Sequence, residues 1–180
     1  MALKSTIFKA DVDLSDMNRN YFTHATLTLA RHPSETDERM MLRILAWALH
    51  ASDTLEFCKG ISNEDEAALW QKDLTGLVET WIEVGTPDEK RLRKACNKSN
   101  DVIVYAYGGR AANLWWEQQR AELARFDNLT VRAIPADQSK ALAGLAERTL
   151  KLQITVQETT AWISTDKQSL QIDWETWQGA

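Results

Sequence analysis

VETWIEVGTPDEKRLRKA, residues 78–95, decides the fold. Its first seven residues are apolar enough for a buried strand, with Val78, Ile82 and Val84 set against Glu79, Trp81 and Glu83 by the alternation of a strand. Gly85 follows, and Thr86-Pro87-Asp88-Glu89 opens a helix: a threonine N-cap, proline at the first helical position and an acid at the third. Leu92, Ala95 and Cys96 form that helix's narrow apolar face, surrounded by Lys90, Arg91, Arg93, Lys94 and Lys98. DVIVYAYGG, residues 101–109, is then a β-branched strand closed by two glycines. Strand, helix and strand over 78–107 predict a right-handed crossover in a mixed sheet. The arrangement puts a carboxylate, Glu83, at the carboxyl end of a buried strand and faces it with a basic helix.

Working outward, both ends of the chain read as β. Residues 3–14 place Thr6, Phe8, Ala10, Val12 and Leu14 on one side, residues 16–20 carry turn formers, and residues 21–30 alternate again, which predicts a hairpin. Ser34, with Asp37 three residues on, predicts the start of an amphipathic helix over 35–51 that buries Leu42, Leu45 and Leu49. Residues 55–59 form a short strand candidate, and the polar stretch ISNEDEAALWQKDLTG, residues 61–76, predicts a short helical turn over 64–70. Residues 110–125 read as a helix, 129–134 as a strand and 137–148 as a helix. The tail alternates at Leu152, Ile154 and Val156, and then at AWIS and LQIDW, as a C-terminal β-meander. No repeat, low-complexity tract or linker interrupts this, so the expectation is an α+β chain with one domain over 1–180, a mixed β-sheet, an N-terminal hairpin and a C-terminal meander.

Composition bounds the function. A length of 180 residues suits one core, at ~100–200 residues per domain. The net charge of -5 supplies no global field for nucleic acid, so such binding needs a local basic patch. Cys58 and Cys96 are far apart and form no CxxC pair, which argues against a disulfide framework or a zinc site. MALKSTIFKA lacks the apolar run of a signal peptide, and no apolar stretch reaches the ~18 residues of a membrane span. The expectation is a soluble cytoplasmic protein with no membrane partner. Eight tryptophans fit either a packed core or an aromatic-lined surface.

Three acidic groups stand out. Glu83 ends its strand where a cleft forms in mixed sheets; a solvated acid or a partner for the basic helix explains it equally. Glu35 and Glu38 begin the stripe that continues as Leu42, Leu45 and Leu49. Charge on a core-facing stripe is costly unless paired or bound to metal, while acids in a first turn also complement the helix dipole. Asp65, Glu66 and Asp73 lie in the polar stretch, where loop solvation is the plain reading. The lysines and arginines of helix 88–98 read either as a solvated face or as a phosphate-binding face. His24, His32 and His50 show no ligand spacing, and no phosphate-binding glycine loop occurs.

ARHPSETDERMMLR, DEAALWQKD, WIEVGTPDEKRLRKA and VYAYG, in this order and spacing, strongly resemble the YaeQ family of small bacterial proteins over essentially the whole chain. The resemblance implies a variant of the PD-(D/E)XK nuclease fold, with a restriction-endonuclease-like α-β-β-α-β core. In that superfamily a helix glutamate, a strand aspartate and a strand glutamate bind Mg²⁺, and a lysine two residues after the strand glutamate assists the attacking water. Carried onto this chain, the resemblance gives Glu38 as the helix acid, Glu83 as the strand acid, and the Asp65/Glu66 pair, with Asp73 as the alternative, as the remaining acid. Gly85 stands where the pattern has its lysine, and Lys94 or Lys90 of the next helix would supply the ammonium. Hard carboxylate oxygens suit Mg²⁺ or Mn²⁺, which would orient water at a phosphodiester.

Three readings are therefore expected as alternatives, and in the third the acid–base cluster of a structural protein only orders the core. One is a metal-dependent phosphodiesterase, with Glu38, Asp65, Glu66 and Glu83 on the metal, Lys90 or Lys94 beside it, and nucleic acid lying along helix 88–98. Another is a non-catalytic binding or regulatory module for a protein or nucleic-acid partner, in transcription or stress control, anchored by surface aromatics such as Trp115 or Trp116.

Overall fold

The computed structural model describes residues 4–59 and 63–179. Expectations that touch Leu3, Ile61 and Ser62 lie outside the described residues. In chain order the elements are β1 (Thr6–Asp16), β2 (Tyr21–Arg31), α1 (Asp37–His50), β3 (Leu55–Phe57), β4 (Leu69–Lys72), β5 (Val78–Val84), α2 (Glu89–Lys98) and β6 (Ser99–Ala106). They continue with α3 (Arg110–Leu123), β7 (Leu129–Ala133), α4 (Ala136–Ala143), β8 (Thr149–Gln157), β9 (Thr160–Ser164), β10 (Ser169–Asp173) and β11 (Glu175–Gln178). The class is α+β as expected, but the β-structure forms two mixed sheets rather than one. The chain divides into two compact units: one up to Leu49 with Asp137–Asp173, the other His50–Ala136 with the residues from Trp174 onward.

In the first unit the strand order is β10-β9-β8-β1-β2. The predicted hairpin is present, with Thr6 opposite Arg31 and Asp16 opposite Tyr21. The predicted meander β8–β9–β10 joins it because β8 lies parallel to β1, Lys9 against Thr149 through Asp16 against Val156. Phe8, Ala10, Val12 and Leu14 face inward with Leu150, Leu152, Ile154 and Val156. This is the period of two expected of a sheet with one buried face. The helix α1 is not amphipathic as predicted: every residue from Met40 to Leu49 is buried, the pattern of a helix enclosed on all sides. It also starts later, because Ser34 spends its hydroxyl on His32 while Thr36 Oγ1 accepts the N–H of Arg39. α4 stops at Ala143, short of the predicted 148, where the Gly144 N–H closes onto the carbonyls of Lys140 and Ala141.

In the second unit the order is β11-β7-β6-β5-β4-β3, with β5, β6 and β7 parallel and the outer pairs antiparallel. The quoted stretch does what its pattern demands: β5, α2 and β6 form a crossover between neighbouring parallel strands. Leu92, Ala95 and Cys96, the predicted apolar face, are the buried residues of α2. They pack with Trp81, Val102, Val104, Leu129 and Val131 from the sheet and with Ala112, Trp115 and Leu123 of α3. Two local expectations fail. The helical turn predicted at 64–70 is cut short: Glu66 N–H closes a turn onto the Asn63 carbonyl, but the chain then runs into β4, because Leu69, Trp70 and Gln71 pair with Ile82, Trp81 and Thr80. The N-cap of α2 is Asp88, whose carboxylate accepts the Arg91 N–H, not Thr86. Pro87 remains outside the helix, and its carbonyl accepts from Trp115 Nε1 at 2.8 Å.

Candidate functional site

The three parallel strands deliver Val84, Tyr105 and Arg132 in one register row, with Glu83, Val104 and Val131 in the row before it. Glu83 points to the same face as Trp81, the face covered by α2. Its side chain is 6 % exposed, so its charge needs protein partners. Trp81 Nε1 donates to Glu83 Oε1 at 2.7 Å, and Arg91 reaches the same oxygen with Nε at 2.9 Å and with a terminal nitrogen at 2.8 Å. The rest of the guanidinium ties down the preceding loop, donating to the backbone carbonyls of Glu66 at 2.6 Å and Glu64 at 3.2 Å. Arg91 thus binds strand, helix and loop into one knot.

Sequence reasoning assigned the cation beside Glu83 to Lys90 or Lys94. Both are exposed on α2, and the cation that reaches Glu83 is Arg91. Arg91 lies next to Leu92 and one turn before Ala95, at the edge of the buried face, and that placement was the missing signal. Gly85, in the pattern's lysine position, has φ +130° with open space where a Cβ would stand. The obstacle to lysine is therefore the backbone conformation, which only glycine adopts without strain.

The other predicted ligands lie as follows. Glu38, in the first unit, is partly buried and accepts from Ser139 Oγ at 2.8 Å. Its neighbour Glu35 is 6 % exposed and is clamped by Arg39 and Arg43. In the second unit Asp65 is exposed, 3.8 Å from Lys98, and Glu66 accepts the Lys59 N–H at 3.1 Å. Asp73 shapes the β4–β5 turn, where the Thr75 hydroxyl and then the backbone N–H groups of Leu77, Thr75 and Gly76 hold its carboxyl below the usual range. Among the described residues no three His, Cys, Asp or Glu side chains are gathered as a metal ion requires.

Of the predicted surface anchors, Trp115 is buried and Trp116 is stacked on Trp177, ring centroids 5.6 Å apart. The aromatics that do face solvent are Phe22 and Trp162. Sequence reasoning also passed over a polar chain on β6 and β7: His50 Nε2 meets the Tyr105 hydroxyl at 2.5 Å, and Arg132 donates to that hydroxyl at 3.0 Å. Burial raises the Cys58 thiol to about 12 and the Cys96 thiol to about 11, so neither supplies a thiolate nucleophile near neutrality.

Residues 1–174 match the family model described as YaeQ protein. The chain belongs to the YaeQ family. It is 47 % identical to the uncharacterized protein YaeQ of Salmonella typhi, covering 99 % of this chain and 98 % of that one. The protein of the same name from Escherichia coli (strain K12) is 44 % identical over the same shares. Among solved structures, the YaeQ protein of Xanthomonas axonopodis pv. citri superposes with a TM-score of 0.95 at 41 % identity, over 98 % of this chain and 99 % of that chain. The YaeQ protein of Pseudomonas syringae superposes with a TM-score of 0.94 at 33 % identity, over 98 % and 97 %. Within the family, then, fold and length are shared. No helix among the described residues is long and apolar enough to cross a membrane.

Proposed function

We propose that this YaeQ-family chain is a nucleic-acid-binding module that retains a nuclease-like core without its catalysis, and that α2 is the face that meets phosphates. The observation that carries this is the solvent side of α2. Lys90, Arg93, Lys94 and Lys98 are exposed there, while the helix's single acid, Glu89, is already occupied by Arg93 and by Arg125, just after α3. A local cationic stripe on a chain of net charge -5 is the electrostatic footprint that phosphate binding requires. The chain order α1, antiparallel β3–β4–β5, α2, and β6 parallel to β5 supports reading the core as PD-(D/E)XK-like. Arg91 and Trp81 on the Glu83 carboxylate, and glycine in place of the lysine, favour binding over cleavage.

The test is fluorescence anisotropy with labelled single- and double-stranded DNA and RNA over a range of salt. Binding should weaken steeply with salt. Lys90→Glu with Lys94→Glu should lower affinity at least tenfold and flatten the log–log salt slope by ~0.9 for each phosphate no longer neutralised. Absence of binding at low salt, or indifference to the double substitution, overturns the proposal.

The second reading, a Mg²⁺- or Mn²⁺-dependent phosphodiesterase with Glu83 as a metal ligand, is favoured by Glu83 standing at the carboxyl end of a parallel strand, where ligands of open sheets bind. A metal there must displace Arg91. Mn²⁺ titration calorimetry, with Glu83→Ala as control, separates the two: heat that depends on Glu83, together with cleavage of the same oligonucleotides, establishes this second reading instead.

A further inference from the structure

Four strands form sheet edges, and three of them are short: β10 has five residues, β3 three and β11 four. The fourth, β2, has eleven. Short edges are one way in which proteins avoid pairing with other chains; charged residues, prolines and bulges are others. β2 uses none of them. From Tyr21 to Ala30 it contains no Lys, Arg, Asp, Glu or Pro, and its register with β1 runs through eleven pairs without a shift.

The direction of its backbone groups follows from the ladder. Lys9 N–H donates to the Arg148 carbonyl and Met17 N–H to the Val156 carbonyl, so odd-numbered residues of β1 turn to β8 and even-numbered ones to β2. The even β1 residues lie opposite the odd β2 residues: Phe8 against Leu29, Ala10 against Leu27, Val12 against Ala25 and Leu14 against Thr23. The N–H and C=O groups of Phe22, His24, Thr26 and Thr28 therefore point away from the sheet. At the end of the strand the outward carbonyl of Ala30 is taken by Arg43, but these four residues meet no backbone partner among the described residues. They are exposed.

We propose that β2 is a dimerisation edge and that its occupant is β2 of a second copy, paired antiparallel about a two-fold axis at Ala25. Self-complementarity selects this occupant. Antiparallel pairing centred on Ala25 sets His24 opposite Thr26 and Phe22 opposite Thr28, each pair exchanging both backbone hydrogen bonds, with an aromatic facing a β-branched residue. On the inner face the two halves of the strand differ. Leu27 and Leu29 are buried, whereas Tyr21, Thr23 and Ala25 are only half-buried. The two-fold brings Tyr21 beside Leu29 of the second copy and Thr23 beside Leu27, so each covered half extends over the other's uncovered half. No Lys, Arg, Asp or Glu lies in the paired span, and the interface is isologous and closes on itself.

Light scattering coupled to size exclusion, across a dilution series of the full chain, should read a mass of two chains that falls to one on dilution. Thr26→Pro removes an N–H that serves no bond within the chain, the edge position where proline is tolerated, so it should leave the circular dichroism unchanged and raise the dimer dissociation constant at least tenfold. Thr26→Lys should do the same by placing a charge opposite His24 of the second copy. A monomer at every concentration overturns the proposal. So does a dimer whose dissociation constant is unchanged by Thr26→Lys.

Discussion

At the scale of single residues, the charge that matters most is the one placed deepest. Glu83 is 4 % exposed, and a buried carboxylate that loses its cation is left with an uncompensated desolvation cost. Arg91→Ala should therefore destabilise the protein by about 3 kcal/mol in denaturant unfolding, the low end for a buried pair because the Arg91 side chain remains 21 % exposed. Arg91→Lys should not rescue it, since one ammonium cannot serve the carboxylate and two carbonyls in a planar fork. Removing both charges in Glu83→Leu/Arg91→Met should cost less than Arg91→Ala alone. If both variants are equally unstable, Arg91's hold on the loop outweighs its hold on the acid. A second residue-scale prediction concerns His24. The Asp13 carboxylate, first by its 2.6 Å hydrogen bond and then by its charge, raises the His24 pKa above the usual 6.5. A raised folded-state value means that the pair contributes stability below pH 6.5 and loses it as pH rises through the folded value. NMR titration should show His24 titrating above 6.5, and Asp13→Asn should move it back down. An unmoved midpoint would show that Asp13 is not the cause.

At the scale of elements, periodicity was the readable signal and the ends were not. The buried face of α2 and the alternation of β1, β2 and β8 depend on neighbours three, four or two residues apart, so they are written locally. The starts of α1 and α2 were read from Ser34 and Thr86, and contacts outside the capping pattern moved both. Trp115 of α3 takes the Pro87 carbonyl and keeps Thr86-Pro87 out of the helix; His32 takes the Ser34 hydroxyl. Five cations flank the apolar face of α2, and its period alone does not say which of them reaches Glu83. That is why Arg91 was hidden among Lys90, Arg93, Lys94 and Lys98. The start of α2 is measurable. Asp88→Ala removes the side-chain acceptor of the Arg91 N–H and should cost about 1 kcal/mol, whereas Thr86→Ala should be nearly neutral in the same urea titration. The opposite order would return the helix start to Thr86.

At the scale of the whole molecule, the element that organises the first sheet left no local trace. The hairpin and the meander are each legible, but the parallel union of β1 with β8 joins residues about 140 positions apart, and period-two patterns do not specify which strand lies next to which. The union makes β1 an interior strand: its even-numbered residues bond to β2 and its odd-numbered residues to β8. Hydrogen exchange can test this directly. If the five strands open as one cooperative unit, the amides of Ala10 and Val12 should exchange as slowly as those of Asp11 and Asp13, all through the largest opening of that unit. Leu152 is 2 % exposed on β8, and Leu152→Ala should lower stability by about 3 kcal/mol. In a cooperative sheet that loss appears equally in both sets of β1 amides, although only the odd set faces β8. Should the odd-numbered amides alone lose protection, the parallel seam opens by itself, and the hairpin and the meander are separate units of stability that happen to share an edge.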